Sequence, residues 1–388
     1  MNQPIFANGL EGVIVAETEL SRVDGQRGQL IVRGHEICTL AGHYSFAHVC
    51  RLLWTGQLAD DCTDIDQLLA AGRALAFRAL PDLGDALDAT DGMDALRAAV
   101  AHLRADTIAP SAAGADGRRL APEVAAAARL TGALATLVAA WWRRTQGAEP
   151  LAPAPTASHA HDFLRMLHGR APTPADVAGL DSYLATVIDH GLNASTFAAR
   201  VVTSTGADMV SAVVAAIGAL SGPLHGGAPG PVLDMLDAIG EAEAADAWIA
   251  GQLAAGQRIM GMGHRVYRVR DPRAAALEHA VERRVPTDRS HGRLALARAV
   301  ETAAESQLRA RYPDRSLRAN VEFYTAILLD DLGLDRRLFS LIFAASRAAG
   351  WTAHILEQRR RGRLIRPRAR YIGPMLQPGD DATRAVSA

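Results

Sequence analysis

From residue 45 to residue 361, apolar side chains recur every three or four positions, the period of helices that turn one face to a core. The pattern predicts helices at Ser45–Leu53, Thr63–Arg73, Met93–Arg104, Pro122–Arg144, Ala157–Leu167, Pro174–Ser204 and Ala207–Leu220. After a glycine-rich break it predicts Pro229–Ile239, Ala242–Leu253, Pro272–Arg284, Gly292–Arg311, Val321–Asp331 and Arg336–Arg361. Gly12–Gly34 differs: it is rich in β-branched residues and glycine and reads as short strands and turns. Ala105–Leu120 and the proline-rich Gln146–Ala157 read as loops, the second as an exposed connection or mobile hairpin. The tail after Gln377 is polar and is expected to fray. So little strand leaves no room for a Rossmann sheet or a TIM barrel, and the expected fold class is all-α.

The most apolar run, Leu130–Trp142, lies between Arg129 and Arg143 and is too short to span a bilayer, so a buried core helix is expected. The 388 residues suffice for two domains or one large helical unit. The hydrophobic share is 49% but the aromatic share only 5%, because much of it is alanine, which suits closely packed helices. A net charge of −1 gives no general attraction to nucleic acid or an anionic membrane. The chain has no lysine, so any anion site must use Arg, His or backbone N–H groups. Cys38, Cys50 and Cys62 form no C-x-x-C pair and are expected to be buried thiols in a reduced, cytoplasmic compartment. The first residues lack the charged and apolar regions of a signal peptide. No metal site is expected.

Four segments carry chemistry. SGPLHGGAPG (221–230) places His225 among glycines directly before an apolar helix, where a ligand can approach the backbone and negative charge is favoured. RIMGMGHRVYRVRDPR (258–273) gathers five arginines around a G-x-G-H in a chain of balanced charge, which points to an anion; the glycines lack the setting of a dinucleotide fingerprint. In NVEFYTAILL (320–329), Glu322 stands at a helix start; taken alone, it reads as a carboxylate facing the macrodipole. In FAASRAAGWTAHILEQ (343–358), Arg347 lies among small and apolar residues, where a cation needs a partner or a ligand.

In this order these segments resemble citrate synthases of the short bacterial and archaeal type. The resemblance also takes in the opening GLEGVIVAETEL and the central DHGLNASTFAARVVTSTGADMVSAVVAAIGALSGPLHGGA, so it runs nearly end to end. It implies a large helical domain (1–226 and 337–388) and a smaller one (227–336) that closes over the active site. It further implies a homodimer built on paired helices, and not the family's larger hexamer, which begins with an extra domain. By motif position, Glu322 becomes the base, His225 the enolate donor and His264 the group that polarises the acceptor ketone. Arg273, Arg347 and Arg366 fall on the carboxylate-binding arginines, Arg366 reaching in from the other subunit, and His190 on a further oxaloacetate contact. Arg258, Gly261, Gly263 and Arg265 would line the coenzyme A side.

The implied reaction condenses acetyl-CoA with oxaloacetate and hydrolyses the adduct to citrate and coenzyme A. The thioester is a substrate, and no permanently bound cofactor is implied. Propionyl-CoA, giving 2-methylcitrate, is the close alternative. The chain departs from the family pattern at Glu322, where Asp is usual, and at Ala319 and Ala326, where Pro and Gly are usual. The extra methylene moves a carboxylate by about 1 Å, a displacement that can cost ~10²-fold in rate. A weakly catalytic binding paralogue is therefore the third reading.

Overall fold

A computed structural model of the chain describes residues 6–108, 120–225, 229–284 and 288–374. The expected domain boundary at 226/227, the glycines after His225, most of the loop at 105–120 and the tail after Gln377 lie outside the described residues.

The first ordered unit is a three-stranded antiparallel meander: β1 (Ser21–Asp24), β2 (Gln29–Val32) and β3 (His35–Glu36). β2 alternates as a one-sided strand must, with Leu30 and Val32 buried and Gln29 and Ile31 turned outward. Asp24 Oδ1 accepts the Gln26 and Arg27 N–H groups and shapes the first turn. Gly25 has no Cβ because that atom would lie 2.2 Å from the Val266 carbonyl oxygen, and Gly25 O accepts the Arg268 N–H at 2.8 Å. The meander therefore braces the segment that carries His264.

The helices of ten or more residues follow: α1 (Phe46–Thr55), α2 (Thr63–Ala79), α3 (Gly92–His102), α4 (Pro122–Thr145), α5 (His159–His168), α6 (Pro174–Val187) and α7 (Ala194–Ser204). Then come α8 (Met209–Leu220), α9 (Pro229–Ile239), α10 (Ala245–Ala254), α11 (Pro272–Glu282), α12 (Asp288–Arg311), α13 (Val321–Asp331) and α14 (Phe339–Arg361). The all-α expectation holds. Among the described residues α4 alone is long and apolar enough to cross a membrane, and it is buried in the protein as a core helix.

Small residues set how closely α2 and α4 approach. A Cβ on Gly72 would lie 1.9 Å from the Arg129 carbonyl oxygen, and one on Gly132 would lie 2.1 Å from that of Leu69. Each helix thus presses a glycine against the other's backbone.

Two expectations are corrected, and the loop at 146–157 is a partly exposed connection as expected. Pro174–Ser204 is not one helix: α6 ends at Val187 and α7 starts at Ala194. Gly191, at φ +61°, turns the chain, and the Asn193 side chain caps α7 by accepting the Thr196 N–H at 3.1 Å. Cys50 and Cys62 are buried, but Cys38 is exposed beside the meander, its Sγ 3.4 Å from Pro272 O. The loop 146–157 is held by side chains: Asp162 accepts the Ala154 N–H, and the buried Arg73 donates to Ala157 O at 2.9 Å.

If the glycine contacts set the α2–α4 spacing, Gly132→Ala should lower unfolding free energy by about 1–3 kcal/mol or more in urea titrations. Gly251→Ala, in a helix where the added Cβ meets nothing within 4 Å, should be neutral or raise it by about 0.5–1 kcal/mol. Equal effects at the two sites would contradict the packing argument.

Candidate active site

A cavity of about 1000 Å³ gathers His190, His225, Gly263, His264, Arg265, Arg273, Glu322 and Arg347 in its lining, with Asn320, Phe343 and the N-terminal residues Gly9–Thr18 in part. A second cavity of about 760 Å³, under Arg51 and Arg359, holds none of the candidate residues.

His264 follows Gly263, whose φ of +89° suits glycine alone. Its Nδ1 accepts two backbone N–H groups, from Val266 at 3.0 Å and Tyr267 at 3.1 Å. An acceptor on Nδ1 leaves the ring proton on Nε2. Burial, helped by the Arg273 charge and opposed by Asp271, lowers the His264 pKa to about 4, so the ring is neutral. Arg273 Nη2 approaches Nε2 to 3.5 Å. Both atoms are donors, and an acceptor oxygen between them would satisfy both.

His225 lies at the end of the segment after α8. Its Nε2 faces the Ser195 N–H at 3.2 Å and the Ser195 hydroxyl at 2.8 Å. The backbone donor makes Nε2 an acceptor and places the proton on Nδ1. Burial, with a contribution from Arg347, lowers this pKa to about 4 as well. His190 stands in the α6–α7 break, with its Nε2 3.1 Å from the Tyr267 hydroxyl. Burial and the Arg273 charge lower its pKa well below the usual histidine range.

Arg273 lies in the first turn of α11 and is 4% exposed; Asp271 grips it with both carboxylate oxygens, at 3.1 Å and 2.7 Å. Asp271 is also the N-cap of α11, and it accepts the Val321 N–H at 3.3 Å. Arg347 is 1% exposed. It donates from Nε to Val187 O at 2.8 Å and lies 4.5 Å above the Phe343 ring, while its buried Nη2 has no hydrogen-bond partner among the described residues. Burial, opposed by Asp189 and reinforced by Arg273, pulls its pKa down to about 10, and it remains a cation at neutral pH.

Glu322 sits in the first turn of α13, capped by Asn320, whose Oδ1 accepts the Glu322 N–H at 3.0 Å. Burial raises its pKa from 4.5 to about 7 against the opposing pull of Arg273. This is the range in which a carboxyl serves as a base at neutral pH.

Other candidates stand apart. Gly261 is buried, and a Cβ on it would lie 2.9 Å from the Phe323 ring, so it packs beneath the lining. Arg258 is exposed outside the lining and reaches Glu322 only through its charge. Arg366 is exposed on the extended segment after α14 and does not meet the cavity within one chain. Sequence reasoning missed Asp271, Ser195, Tyr267 and Asn320. Asp271 and Asn320 had a visible signal, since each is an Asp or Asn directly before a predicted helix.

The family described as "Citrate synthase, C-terminal domain" matches residues 9–368. The chain belongs to the citrate synthase family. Among its relatives, "Citrate synthase" of Acidithiobacillus ferridurans is 37% identical over 96% of this chain and 97% of its own. A protein named "2-methylcitrate synthase" from Mycobacterium tuberculosis is 38% identical over 96% of this chain and 91% of its own. The crystal structure of citrate synthase from Thermotoga maritima superposes with a TM-score of 0.81 at 30% identity, covering 96% of this chain and 97% of that one. A Thermoplasma acidophilum citrate synthase, solved as a ternary complex with carboxymethyl coenzyme A and oxaloacetate, gives 0.81 at 26% identity over 97% and 98%. The protein is thus an enzyme of the citrate synthase type, a transferase.

The raised Glu322 pKa makes a stability prediction. Below about 4.5 the folded and unfolded chains both hold the proton; above about 7 both have lost it, and only the folded chain buries the charge. Stability from this group is therefore full at low pH and declines as pH rises through 7. Glu322→Gln should be more stable than the parent at pH 8 by on the order of 2–3 kcal/mol, and the two should converge below pH 4.5. Parallel stability–pH curves in chemical denaturation would refute the burial argument.

Proposed function

We propose that this citrate synthase condenses acetyl-CoA with oxaloacetate and hydrolyses the adduct to citrate and coenzyme A. One observation carries the assignment. A single cavity holds a carboxyl raised to about 7, two neutral histidines whose ring protons are assigned from their backbone donors, and two buried arginines.

In this reading the Glu322 carboxylate removes a proton from the thioester methyl group. The His225 Nδ1–H donates to the thioester oxygen as negative charge develops there, and donors fixed in a dry site stabilise such charge best. His264 Nε2–H donates to the acceptor ketone. Arg273 and Arg347 take the carboxylates of oxaloacetate, with His190 beside them, and the free Nη2 donors of Arg347 suit a carboxylate oxygen. Gly263 and Arg265 lie toward the thioester, with Arg258 and Gly261 supporting that side. Residues 227–336 form the smaller domain, whose closure over 1–226 and 337–388 keeps water from the condensation. The thioester is consumed, so coenzyme A is product and not resident cofactor. A cytoplasmic setting fits the free thiols and this substrate.

Propionyl-CoA remains the second reading, because the 2-methylcitrate synthase of M. tuberculosis is as similar as the citrate synthases. One methylene discriminates by only ~1–3 kcal/mol. Kinetics with both thioesters decide between them, and acetyl-CoA is expected to have the higher kcat/KM.

The assignment is tested by thiol release and by deuterium exchange into acetyl-CoA. Exchange should rise as pH passes through about 7, where Glu322 ionises, and level off above it. Glu322→Gln should lose nearly all exchange and still bind oxaloacetate; Glu322→Asp should keep substantial activity. If Glu322→Gln exchanges like the parent, the base lies elsewhere. If the parent turns over no short acyl-CoA, the binding paralogue becomes the better reading.

Arg366 requires the second subunit. It lies on an extended segment that also exposes Leu364, Tyr371 and Ile372, as an arm that packs on another chain would. Heterodimers of Arg366→Ala with His264→Ala subunits should regain part of the activity that both homodimers lack. Verified heterodimers as inactive as either parent variant would show that the site is not shared.

A further inference from the structure

We infer that one buried stripe of α14, Gly350, Trp351 and His354, is the positioning element for both His190 and His225. None of the three lines the cavity. They follow Arg347 on the same helix at spacings of three and four, so the four residues share one face. That face meets the segment from Val187 to Arg200, which carries His190 in its turn and Ser195 behind His225.

The contacts run in register. Arg347 Nε donates to Val187 O at 2.8 Å. At Gly350 a Cβ would lie 2.3 Å from Ile188 O and 2.9 Å from Asp189 Oδ1, so the absence of a side chain lets the turn rest on the helix. The Trp351 indole, which can only donate, reaches Ser195 Oγ at 3.1 Å. Ser195 is fully buried, and its N–H and hydroxyl face His225 Nε2.

His354 closes the arrangement. Arg200 Nη1 donates to its Nδ1 at 2.8 Å, so the ring proton sits on Nε2, which lies 3.2 Å from Asp189 Oδ1. That contact is an ion-pair approach without hydrogen-bond geometry; the other Asp189 oxygen, Oδ2, accepts from the Ser21 hydroxyl and, at 3.3 Å, from the Gly191 N–H. Arg200 pairs with Glu357 at 2.7 Å, and Glu357 accepts the Glu19 N–H at 2.9 Å. Asp189, His354, Arg200 and Glu357 thus form a buried chain of polar groups. It holds the His190 turn at one end. At the other it holds the strand entrance downstream of the N-terminal residues that line the cavity. Removal of one link leaves a buried charge short of a partner and loosens the turn.

The two ends predict different kinetic effects. His354→Leu and Gly350→Ala disturb the His190 turn and should weaken oxaloacetate binding about tenfold, read by calorimetry without turnover. Trp351→Phe keeps an aromatic side chain, though a smaller one, and loses the hydrogen bond to Ser195, so kcat should fall about three- to tenfold. Its oxaloacetate affinity should stay within about twofold of the parent. His354→Gln, which retains an acceptor and a donor, should recover most of the affinity lost in His354→Leu. A merely structural role would move binding and kcat together, in step with the loss of folded protein, and that result overturns the inference. Should His354→Leu not fold, Gly350→Ala against Trp351→Phe makes the same comparison. The inference rests on the roles proposed for His190 and His225. If His225→Ala retains condensation, those roles fail; if His225→Ala is inactive but the split is absent, only the positioning stripe fails.

Discussion

Two guanidinium groups, Arg273 and Arg347, sit in the wall of one cavity almost out of reach of water, and the surrounding structure is arranged to tolerate them. An unpaired buried cation costs several kcal/mol. Arg273 is offset by the two-pronged contact with Asp271, which also caps α11. Among the described residues Arg347 has no such partner; a single carbonyl, the Phe343 face and the more distant Asp189 charge moderate its cost. That difference leaves donors on Arg347 for an anion, whereas Arg273 is already half engaged.

Burial, reinforced by the same positive field, keeps the histidines neutral. Burial sets the direction at His190, His225 and His264, and the nearby arginines push the same way, so all three are neutral at physiological pH. Backbone N–H groups then choose the tautomer. They occupy Nδ1 of His264 and Nε2 of His225, and the proton of each ring sits on the opposite nitrogen. Main-chain donors cannot rotate away, so each ring proton is held on one nitrogen before substrate arrives. Glu322 moves in the other direction for the same reason: burial disfavours its charge and brings it to the pH at which it can accept a proton.

Much of this was legible in the sequence. α9 and α13 begin and end where the sequence pattern places them, because that rule acts locally. The break between α6 and α7 was misread, since the apolar period continues through it while Gly191 and Asn193 end one helix and start another. His190 occupies that break, so the misreading hid how the residue reaches the cavity. The proton positions of His225 and His264 were not legible at all. They depend on backbone donors from residues 30 positions away in one case and two or three in the other, and only the folded geometry shows which nitrogen they meet.

The backbone around Glu322 forms a frame that sets where this side chain starts. The start of α13 is laced to the His264 segment as a two-strand fragment. Met262 bridges Ala319, Gly263 N donates to Arg318 O at 2.7 Å, and Asn320 N donates to Gly261 O at 2.9 Å. Asn320 adds a side chain to each partner: its Oδ1 caps Glu322 N, and its Nδ2 donates to Gly263 O at 2.9 Å. Asp271 joins them, accepting the Val321 N–H with one oxygen while it grips Arg273. Glu322, His264 and Arg273 are therefore fixed to one another by short backbone-anchored links. A change in the length of the Glu322 side chain moves its carboxylate within that frame and leaves the frame itself in place.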